Sequence, residues 1–227
     1  MTEAGGDGAV GRGLPRPIDA ALAAAGLLAL SPLLLAIAVA VRRGSPGPVL
    51  YRQQRVGRHG EPFALLKFRT MRVGADREGL LTVGDDTRIT RSGSFLRRHK
   101  LDELPQLVNV VRGDMSLVGA RPELPTFVLA GVPDQELVLR TRPGLTDPAS
   151  LAFTGEADVL ARADDPAEHY RQRVLPAKLA LSADYARRRT AGSDVGVLLR
   201  TAGVVLAPAR AAPLGRGARP RAASSRR

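Results

Sequence analysis

The sequence predicts an α+β protein that is mostly helical. Two short runs with strand-like composition, Val49–Val56 and Phe63–Thr70, are separated by six polar and turn-forming residues, which predicts a β-hairpin. One long apolar run lies near the N-terminus, and apolar residues at helical spacing recur through the second half of the chain. The predicted order is therefore an apolar helix, a β-hairpin and a compact, largely helical domain.

The apolar run spans residues 18–41 and is interrupted only by Asp19, Ser31 and Pro32. As a straight helix it would extend about 36 Å, enough to cross a hydrocarbon core of about 30 Å. Pro32 removes a backbone donor, and Ser31 can bond back to a carbonyl, so we expect a kink at this pair. Each half is then too short to cross alone. The residues themselves leave a kinked membrane span and a re-entrant hairpin open.

The chain divides into four predicted segments. Residues 1–15 are Gly-rich and predicted to be disordered, residues 16–43 hold the apolar helix, and residues 44–207 form the compact domain. Residues 208–227 form a basic tail, also predicted to be disordered, with six Arg and no acidic residue. The formal net charge is +12, and it falls to +6 without these six Arg. This excess favours anionic partners such as phosphates, nucleic acid or acidic membrane lipid.

The composition excludes several kinds of site. The chain has no Cys, so it has no disulfide, no thiolate metal site and no cysteine nucleophile. Its three His residues, His59, His99 and His169, are far apart in the sequence, so a zinc site built from several His is not expected. Aromatic residues make up 4% of the chain and Trp is absent. Surfaces that stack single-stranded bases need more rings, so binding of single-stranded nucleic acid is disfavoured. No nucleic-acid partner is predicted for the preferred interpretation.

Several helices are predicted in the compact domain. Ser94 is expected to cap a short helix that runs to about Lys100. The next helix should start within residues 102–104, because Pro105 is tolerated only in a first turn, and should end before Gly113. Further helices are predicted over residues 134–142, residues 156–190 with interruptions at Pro166 and Pro176, and the amphipathic segment Asp194–Leu206, which suits a membrane interface.

The adjacent carboxylates Asp102 and Glu103 are the strongest candidates for chemistry. Acidic residues at a helix start are common because they cap free N–H groups, so the pair alone proves little. Basic residues surround the pair in the sequence: Arg97, Arg98, His99 and Lys100 before it, Arg112 and Arg121 after it. Among these cations we expect the carboxylates to stay ionised. One could attack while the other holds a divalent metal, so the pattern indicates phosphate, Mg²⁺ and a carboxylate nucleophile.

Short motifs distributed over residues 16 to 206 carry a family resemblance. They are Arg16-Pro-Ile-Asp19, Ser31-Pro32, Gly47-Pro-Val-Leu-Tyr-Arg-Gln53, Arg55-Val-Gly57, Lys67-Phe-Arg-Thr-Met71, Arg88-Ile-Thr90, Leu101-Asp-Glu-Leu-Pro-Gln106, Gly113-Asp-Met-Ser-Leu-Val-Gly119 and Arg142-Pro-Gly-Leu-Thr146. With these motifs the chain resembles the bacterial sugar transferases, the small monotopic phosphoglycosyl transferases that load a first phosphosugar onto a polyprenyl phosphate.

The resemblance implies a re-entrant helix bent at Ser31-Pro32 and a monotopic protein on the cytoplasmic face of the inner membrane. It implies that Asp102 attacks the sugar-linked phosphorus of a UDP-sugar, releasing UMP and leaving a covalent aspartyl-phosphosugar intermediate. Undecaprenyl phosphate would then accept the phosphosugar, in the first membrane step of a surface glycan or exopolysaccharide pathway. Glu103 would hold Mg²⁺, and the substrate phosphates would be bound by Lys67, Arg69, Arg88 and Arg121.

The chain departs from the family pattern at two places. Gly119-Ala120-Arg121-Pro122 stands where such families usually have Gly-Pro-Arg-Pro, which loosens the turn that aims Arg121. Asp147-Pro-Ala-Ser150 stands where many relatives have a different sequence, so the identity of the transferred sugar is left open. Two other interpretations also stay open: a catalytically weakened relative, and a membrane-anchored basic protein that binds acidic lipid or nucleic acid.

Overall fold

The computed structural model describes residues 10–79, 81–84 and 86–206. In chain order its elements are α1 (Arg16–Ala29), α2 (Ser31–Gly44), β1 (Leu50–Val56), β2 (Pro62–Phe68), α3 (Arg91–Arg98), α4 (Gln106–Arg112), β3 (Ser116–Val118), α5 (Pro133–Leu139), β4 (Gly144–Thr146), α6 (Pro148–Ala152), α7 (Glu156–Leu160), α8 (Pro166–His169), α9 (Leu175–Arg188) and α10 (Ala191–Leu206). The prediction of a mostly helical α+β fold is confirmed.

Helices α1 and α2 are the two halves of the apolar run, bent by 63° at their junction. Ser31 Oγ donates a hydrogen bond to the carbonyl of Leu28 at 2.8 Å, and Pro32 lies in the first turn of α2. The predicted kink is therefore confirmed. Within the described part of the chain, no single helix has the length and apolar character to cross a membrane, and α1 and α2 meet that test only as a bent pair.

The start of α1 is fastened to the compact domain by the first family-like motif. Arg16 donates to the carbonyls of Val110 and Val111, at 2.5 and 3.0 Å, and so partners the last turn of α4. Asp19 is buried and accepts the backbone N–H of Leu117 at 3.1 Å. The bent helix pair is thus attached to the element that follows the acidic pair.

The predicted terminal disorder is only partly covered by the described residues. Residues 1–9 and the tail at 208–227 lie outside them. Residues 10–15 run against the C-terminal helices: the N–H of Gly11 bonds the carbonyl of Ala186 at 2.8 Å, and the N–H of Leu14 bonds Asp194 at 2.7 Å. These hydrogen bonds order residues that the glycine-rich composition had led us to expect to be disordered.

The predicted β-hairpin is present, and a buried asparagine joins it to α4. Strands β1 and β2 pair antiparallel, with Tyr51 opposite Lys67. Asn109 on α4 accepts the N–H of Leu66 at 3.0 Å and donates to the carbonyl of Ala64 at 2.8 Å. Because Asn109 is fully buried, these bonds replace the water that its amide would otherwise need. They fix the helix after the acidic pair against the strand that carries Lys67.

A second, two-stranded sheet was not predicted. Strands β3 and β4 pair in parallel, with Ser116 opposite Gly144. Beyond this sheet the backbones of Gly119 and Gly144 approach so closely that a Cβ added at Gly144 would overlap the amide of Gly119. Strands of three residues are too short to show the alternation from which strands are predicted.

The helix boundaries around the acidic pair differ from the prediction. Helix α3 begins at Arg91, where the side chain of Thr90, not Ser94, caps it by accepting the N–H of Gly93 at 3.0 Å. A separate 3₁₀ turn, Leu101–Glu103, comes before α4, so the acidic pair stands ahead of the helix and not in its first turn. Helix α4 ends as predicted at Gly113, which has a φ of +99°.

The long helix predicted over residues 156–190 is divided differently. Helix α7 stands apart, and α8 continues into α9 through a π turn, Tyr170–Val174. Pro176 was expected to interrupt the helix, but it lies in the first turn of α9 immediately after the π turn. In the wider π turn the backbone hydrogen-bond pattern changes, so the N–H that proline lacks is not needed there. Helix α10 covers the predicted amphipathic segment.

Candidate active site

Asp102 lies at the centre of the 3₁₀ turn Leu101–Glu103. The turn follows Lys100, whose φ of 56° is a left-handed conformation that costs a non-glycine residue energy and is typical of functional sites. The side chain of Asp102 is 7% exposed. Within the described residues its carboxylate makes no hydrogen bond and no ion pair. A buried carboxylate without donors is unusual, and it leaves the oxygens free for a ligand.

Glu103 has the opposite environment. Arg121 donates to both of its carboxylate oxygens, with Nη1 3.0 Å from Oε2 and Nη2 in close contact with Oε1. Lys67 Nζ lies 3.8 Å from Oε1. Burial alone would raise the pKa of Glu103, but the charges of Arg121 and Lys67 outweigh it and hold the pKa well below its usual range. Glu103 is therefore ionised at neutral pH, as expected from the sequence.

The nearby cations do not lower the pKa of Asp102 below its usual value, as they do for Glu103. Burial, together with the neighbouring charge of Glu103, raises the pKa of Asp102, and the more distant charges of Lys67 and Arg97 only reduce the effect. Burial also lowers the pKa of Lys67 to about 8, against the opposing charge of Glu103. The two adjacent carboxylates thus differ in basicity because only Glu103 has paired cations.

Asp102 lies at the junction of two cavities. The first, called here the diacid cavity, encloses about 390 Å³ and is lined near Asp102 by Lys67 and Arg121. The second, called here the strand cavity, encloses about 330 Å³ and follows β1 and residues 68–76. Asp102, Lys67 and Arg97 line both cavities. A ligand in either cavity can therefore contact the same carboxylate.

Arg97 is a site residue that the sequence did not single out. Its Nε donates to Thr70 Oγ1 at 2.8 Å and its Nη1 donates to Thr82 Oγ1 at 2.9 Å. These two bonds fix the guanidinium at the junction of the cavities. The sequence showed four basic residues in a row before the acidic pair, but not which one faces inward. The end of α3 decides this, because it directs Arg97 toward the threonines.

The predicted phosphate-binding residues are brought together only in part. Lys67 and Arg121 meet at Glu103. Arg69 lines the strand cavity, and its guanidinium donates to the carbonyls of Pro46 and Ser45 at 2.5 and 2.9 Å. Arg69 thus secures the segment that leaves α2.

Arg88 lies outside the lining of both cavities. Its guanidinium donates to Asp86 and to the carbonyls of Ala75 and Leu81, at 3.0 and 2.7 Å, and contacts the carbonyl of Gly79. These bonds tie Arg88 to residues 75, 79, 81 and 86 beside the cavities. The structure therefore gives Arg88 a loop-fixing position, and its role in phosphate binding stays a prediction.

The turn that carries Arg121 is held from two sides. Arg55 Nη1 donates to the carbonyl of Pro122 at 2.9 Å, and the carbonyl of Ala120 accepts the N–H of Gly144 at 2.8 Å. A small cavity of about 30 Å³ lies beneath the turn, with Ala120 in its lining. That volume is roughly what one water molecule needs. Ala120 in place of proline therefore leaves a small gap beneath the turn, while Arg121 still reaches Glu103.

The acidic pair can contribute to a divalent cation site only with help from a ligand. Within the described ranges there is no cluster of three or more His, Asp or Glu side chains. Asp102 has free oxygens, and each oxygen of Glu103 keeps a lone pair beyond its bond to Arg121. Mg²⁺ in proteins is commonly held by one or two carboxylates with substrate phosphates completing the coordination. The residues fit Mg²⁺ in that form, with the phosphates bound at the same time.

The fold and the site together define a class of protein. An α+β domain is attached to a bent apolar helix pair, and Asp102 of its acidic pair faces two cation-lined cavities of the kind that bind phosphate groups. The chain belongs to the bacterial sugar transferase family, whose sequence profile matches residues 11–208.

Three relatives illustrate the similarity. The chain is 39% identical over 197 residues to the UDP-glucose:undecaprenyl-phosphate glucose-1-phosphate transferase of Xanthomonas campestris pv. campestris, covering 83% of this chain and 38% of that protein. It is 39% identical over 191 residues to the protein of the same name from Caulobacter vibrioides, covering 82% and 67%. A putative undecaprenyl-phosphate N-acetylgalactosaminyl 1-phosphate transferase of Bacillus subtilis is 43% identical over 115 residues, covering 50% and 64%. The chain thus spans between 38% and 67% of the length of these relatives.

Proposed function

We propose that this protein transfers a phosphosugar from a UDP-sugar to undecaprenyl phosphate and releases UMP. One observation carries the proposal: Asp102, buried and without a hydrogen-bond partner in the described residues, stands where two cation-lined cavities meet. A binding protein for acidic lipid or nucleic acid would gain nothing from two carboxylates among its cations, since they weaken its affinity for phosphate. The named activities of the relatives are consistent with the same reaction.

In the first half-reaction Asp102 attacks the phosphorus that carries the sugar. A bond forms between Oδ of Asp102 and this phosphorus while its bond to the bridging oxygen of UMP breaks, and UMP leaves with that oxygen. Two features make the carboxylate a good nucleophile. No protein group within the described residues donates a hydrogen bond to it, and its raised pKa reflects a more basic oxygen. The product is a mixed anhydride between Asp102 and the phosphosugar.

In the second half-reaction undecaprenyl phosphate displaces Asp102. A phosphate oxygen of the lipid attacks the same phosphorus, the bond to Asp102 breaks, and the carboxylate is regenerated. The strand cavity is the better place for this acceptor. It is lined by Pro48 and Arg69, next to the segment that leaves α2. A lipid phosphate could enter there while the diacid cavity still holds the nucleotide.

The cations around Asp102 bind and stabilise the phosphate oxygens. Lys67 and Arg97 line both cavities and so remain in contact with the reacting phosphorus during both half-reactions. Arg121 orients Glu103 through its paired hydrogen bonds. Mg²⁺, held by Glu103 and the diphosphate, would neutralise negative charge on the substrate.

The bent helix pair would anchor the enzyme as a re-entrant hairpin on the cytoplasmic face of the inner membrane. One face of the pair packs on the domain through residues such as Ile37 and Val41, and the other face is apolar and exposed, with Leu28 78% and Leu35 68% exposed. An exposed apolar surface of this kind is stable when lipid covers it. Arg42 and Arg43 at the end of α2 suit the cytoplasmic side. The lipid-linked product would be the starting point of a surface glycan.

A single-substrate experiment tests the proposal. The purified enzyme in detergent is mixed with Mg²⁺ and one UDP-sugar at a time, without lipid acceptor, and UMP is measured. Up to one equivalent of UMP should be released, and mass spectrometry should find the mass of a phosphosugar on the peptide that contains Asp102. Asp102→Asn protein is the control and should release none. UMP release only when lipid acceptor is present, with no adduct, would contradict the covalent mechanism.

A further inference from the structure

Four titratable side chains form a second polar cluster in the diacid cavity. The hydroxyl of Tyr170 donates to both carboxylate oxygens of Glu123 at 2.9 Å. Lys178 Nζ donates to Glu156 Oε2 at 2.9 Å and to the hydroxyl of Tyr170 at 3.4 Å. All four side chains line the same cavity as Asp102. The proposed mechanism uses none of them.

The π turn makes this cluster possible. Tyr170 and Lys178 are eight positions apart, which in a regular α-helix separates two side chains by about 80° around the axis. The π turn Tyr170–Val174 adds one residue, so the pair behaves as if seven positions apart, about 20°. Tyr170 is accordingly buried while Arg171 is exposed. Both functional groups therefore face one cavity.

The chemistry of the cluster does not suit phosphate. The two cations beside it already have partners: Lys178 is paired with Glu156, and the guanidinium of Arg55 donates to Gln53 and to the carbonyl of Pro122. The carboxylate of Glu123 would also repel a second anion. The Tyr170 hydroxyl and two of the three Lys178 donors are committed to bonds within the cluster, whereas the carboxylates keep free lone pairs. A matching ligand therefore supplies hydroxyl donors and no charge. The rings of Phe127 and Phe153 line the same cavity and offer an apolar surface.

A further side chain in this cavity lacks a partner. The hydroxyl oxygen of Ser150 is buried and makes no hydrogen bond within the described residues, yet Ser150 lines the diacid cavity. A buried hydroxyl without a partner costs stability. Its Oγ has almost no accessible surface, so a ligand in the cavity supplies the missing partner once the Ser150 side chain rotates toward it. Ser150 also belongs to Asp147-Pro-Ala-Ser150, where the sequence departs from the family pattern. Variation that selects a substrate is expected at such a position.

We propose that the Glu123–Tyr170–Lys178–Glu156 cluster, with Ser150, binds the hexose ring of the nucleotide sugar and selects which sugar is transferred. The inference rests on the proposed function, because the hexose is bonded to the phosphorus next to Asp102 and must lie in an adjoining part of the same cavity. Uracil fits less well, since its two carbonyl groups need free donors. A hexose supplies hydroxyl donors to the carboxylates and an apolar ring face to the phenylalanines.

Binding to an inactive enzyme tests the subsite without turnover. In Asp102→Asn protein, calorimetry should show different affinities for UDP, UDP-glucose, UDP-galactose and their N-acetylated forms. Adding Tyr170→Phe, which keeps the ring against Phe127, should change the ratio between two epimeric UDP-sugars by about fivefold or more. The affinity of the Tyr170→Phe variant for UDP should change by no more than about twofold. Ser150→Ala, a smaller change, should shift the same ratio.

The matched control is Glu168→Gln, which alters an exposed residue on the same helix and should change neither value. Equal weakening of UDP and of every UDP-sugar by Tyr170→Phe and Ser150→Ala would overturn the inference and place the nucleoside there. Unchanged sugar ratios in both variants would also overturn it. If the sugar ratios shift but wild-type enzyme forms no adduct at Asp102, the covalent mechanism fails and the subsite stands. The two failures are therefore distinguishable.

Discussion

Arg121 donates to both carboxylate oxygens of Glu103, whereas the adjacent Asp102 has no ion pair among the described residues. Two neighbouring acids are thereby given different properties: one has a pKa held low by charge, and the other has a pKa raised by burial. A division of roles between two carboxylates requires such a difference. The predictions below begin with this pair.

Replacing Arg121 with Ala should destabilise the protein substantially. Glu103 would keep its buried charge with the longer Lys67 pair, at 3.8 Å, and the more distant charge of Lys100. Breaking a buried ion pair costs about 3–5 kcal/mol, and the partial exposure of Arg121 reduces this to about 2–3 kcal/mol. Chemical denaturation in detergent measures the loss. The exposed pair Arg171–Glu168 provides the control, since Arg171→Ala should cost under about 1 kcal/mol. Similar losses in the two variants would contradict the importance of the Glu103 pair.

Asp102→Asn and Glu103→Gln should both abolish most turnover but differ in stability. An amide at position 102 cannot form the phosphosugar anhydride, yet it removes a poorly stabilised buried charge, so the free energy of unfolding should stay equal or rise by up to about 1 kcal/mol. Glu103→Gln leaves Arg121 and Lys67 without their carboxylate and should cost about 2–4 kcal/mol. Raised Mg²⁺ should rescue Glu103→Gln only partly. Retained turnover in Asp102→Asn would remove Asp102 as the nucleophile.

Local features of the fold could be predicted from the sequence, because their causes lie within a few residues. The kink follows from Ser31 and Pro32, the end of α4 from Gly113, and the hairpin from two strand-like runs and a turn. The acidic pair was also identified from its neighbours. In each case the residues that set the structure are adjacent in the chain.

The rest depends on contacts between distant residues. Arg121 reaches Glu103 across 18 positions, and Asn109 joins α4 to β2 across 43. Arg88 matches a family motif, but its donors are used by the loop around it. The shared orientation of Tyr170 and Lys178 depends on a π turn, which no periodic pattern predicts because the turn breaks the period.

Ala120→Pro should preserve or improve the enzyme. The amide of Ala120 donates no hydrogen bond within the described residues, and a small cavity lies beneath it. A proline there would lose no bond and would restrict the unfolded chain, a gain of about 0.4–1 kcal/mol. Turnover should rise if the turn that aims Arg121 is too loose. Unfolding and UMP release are measured together. A loss of both would show that this backbone cannot adopt the proline conformation.

Both ends of the bent helix pair should be labelled from the same side of the membrane. A re-entrant pair brings the chain back to the face it entered, and the chain has no Cys, so single cysteines at Ala4 and Ser45 report sidedness without background. In inverted membrane vesicles, which expose the cytoplasmic face, an impermeant maleimide should label both. Arg42 and Arg43 favour that face. Labelling of one site in inverted vesicles and the other only in intact cells would show a membrane span.

Tyr185 should make the protein lose stability at alkaline pH. Its hydroxyl donates to the buried Asp194 at 2.6 Å, and burial together with this bond raises the pKa of Tyr185 from 10.0 to about 12. Above pH 10 the unfolded chain loses the phenol proton while the folded chain keeps it, so the stabilisation present below pH 10 is lost as the pH rises toward 12. After allowance for partial exposure of Tyr185, the loss is about 1–2 kcal/mol.

Tyr185→Phe isolates this contribution, because all other titrating groups are common to both proteins. The variant should be about 1–2 kcal/mol less stable at about pH 8, since Asp194 keeps only the bonds from Leu14 and Arg189. The difference between the two proteins should narrow as the pH rises above 10. Denaturant unfolding at a series of pH values measures it. A difference that stays constant with pH would mean that the Tyr185 proton is not held by Asp194, and that the two C-terminal helices are joined by packing and the Arg189 pair alone.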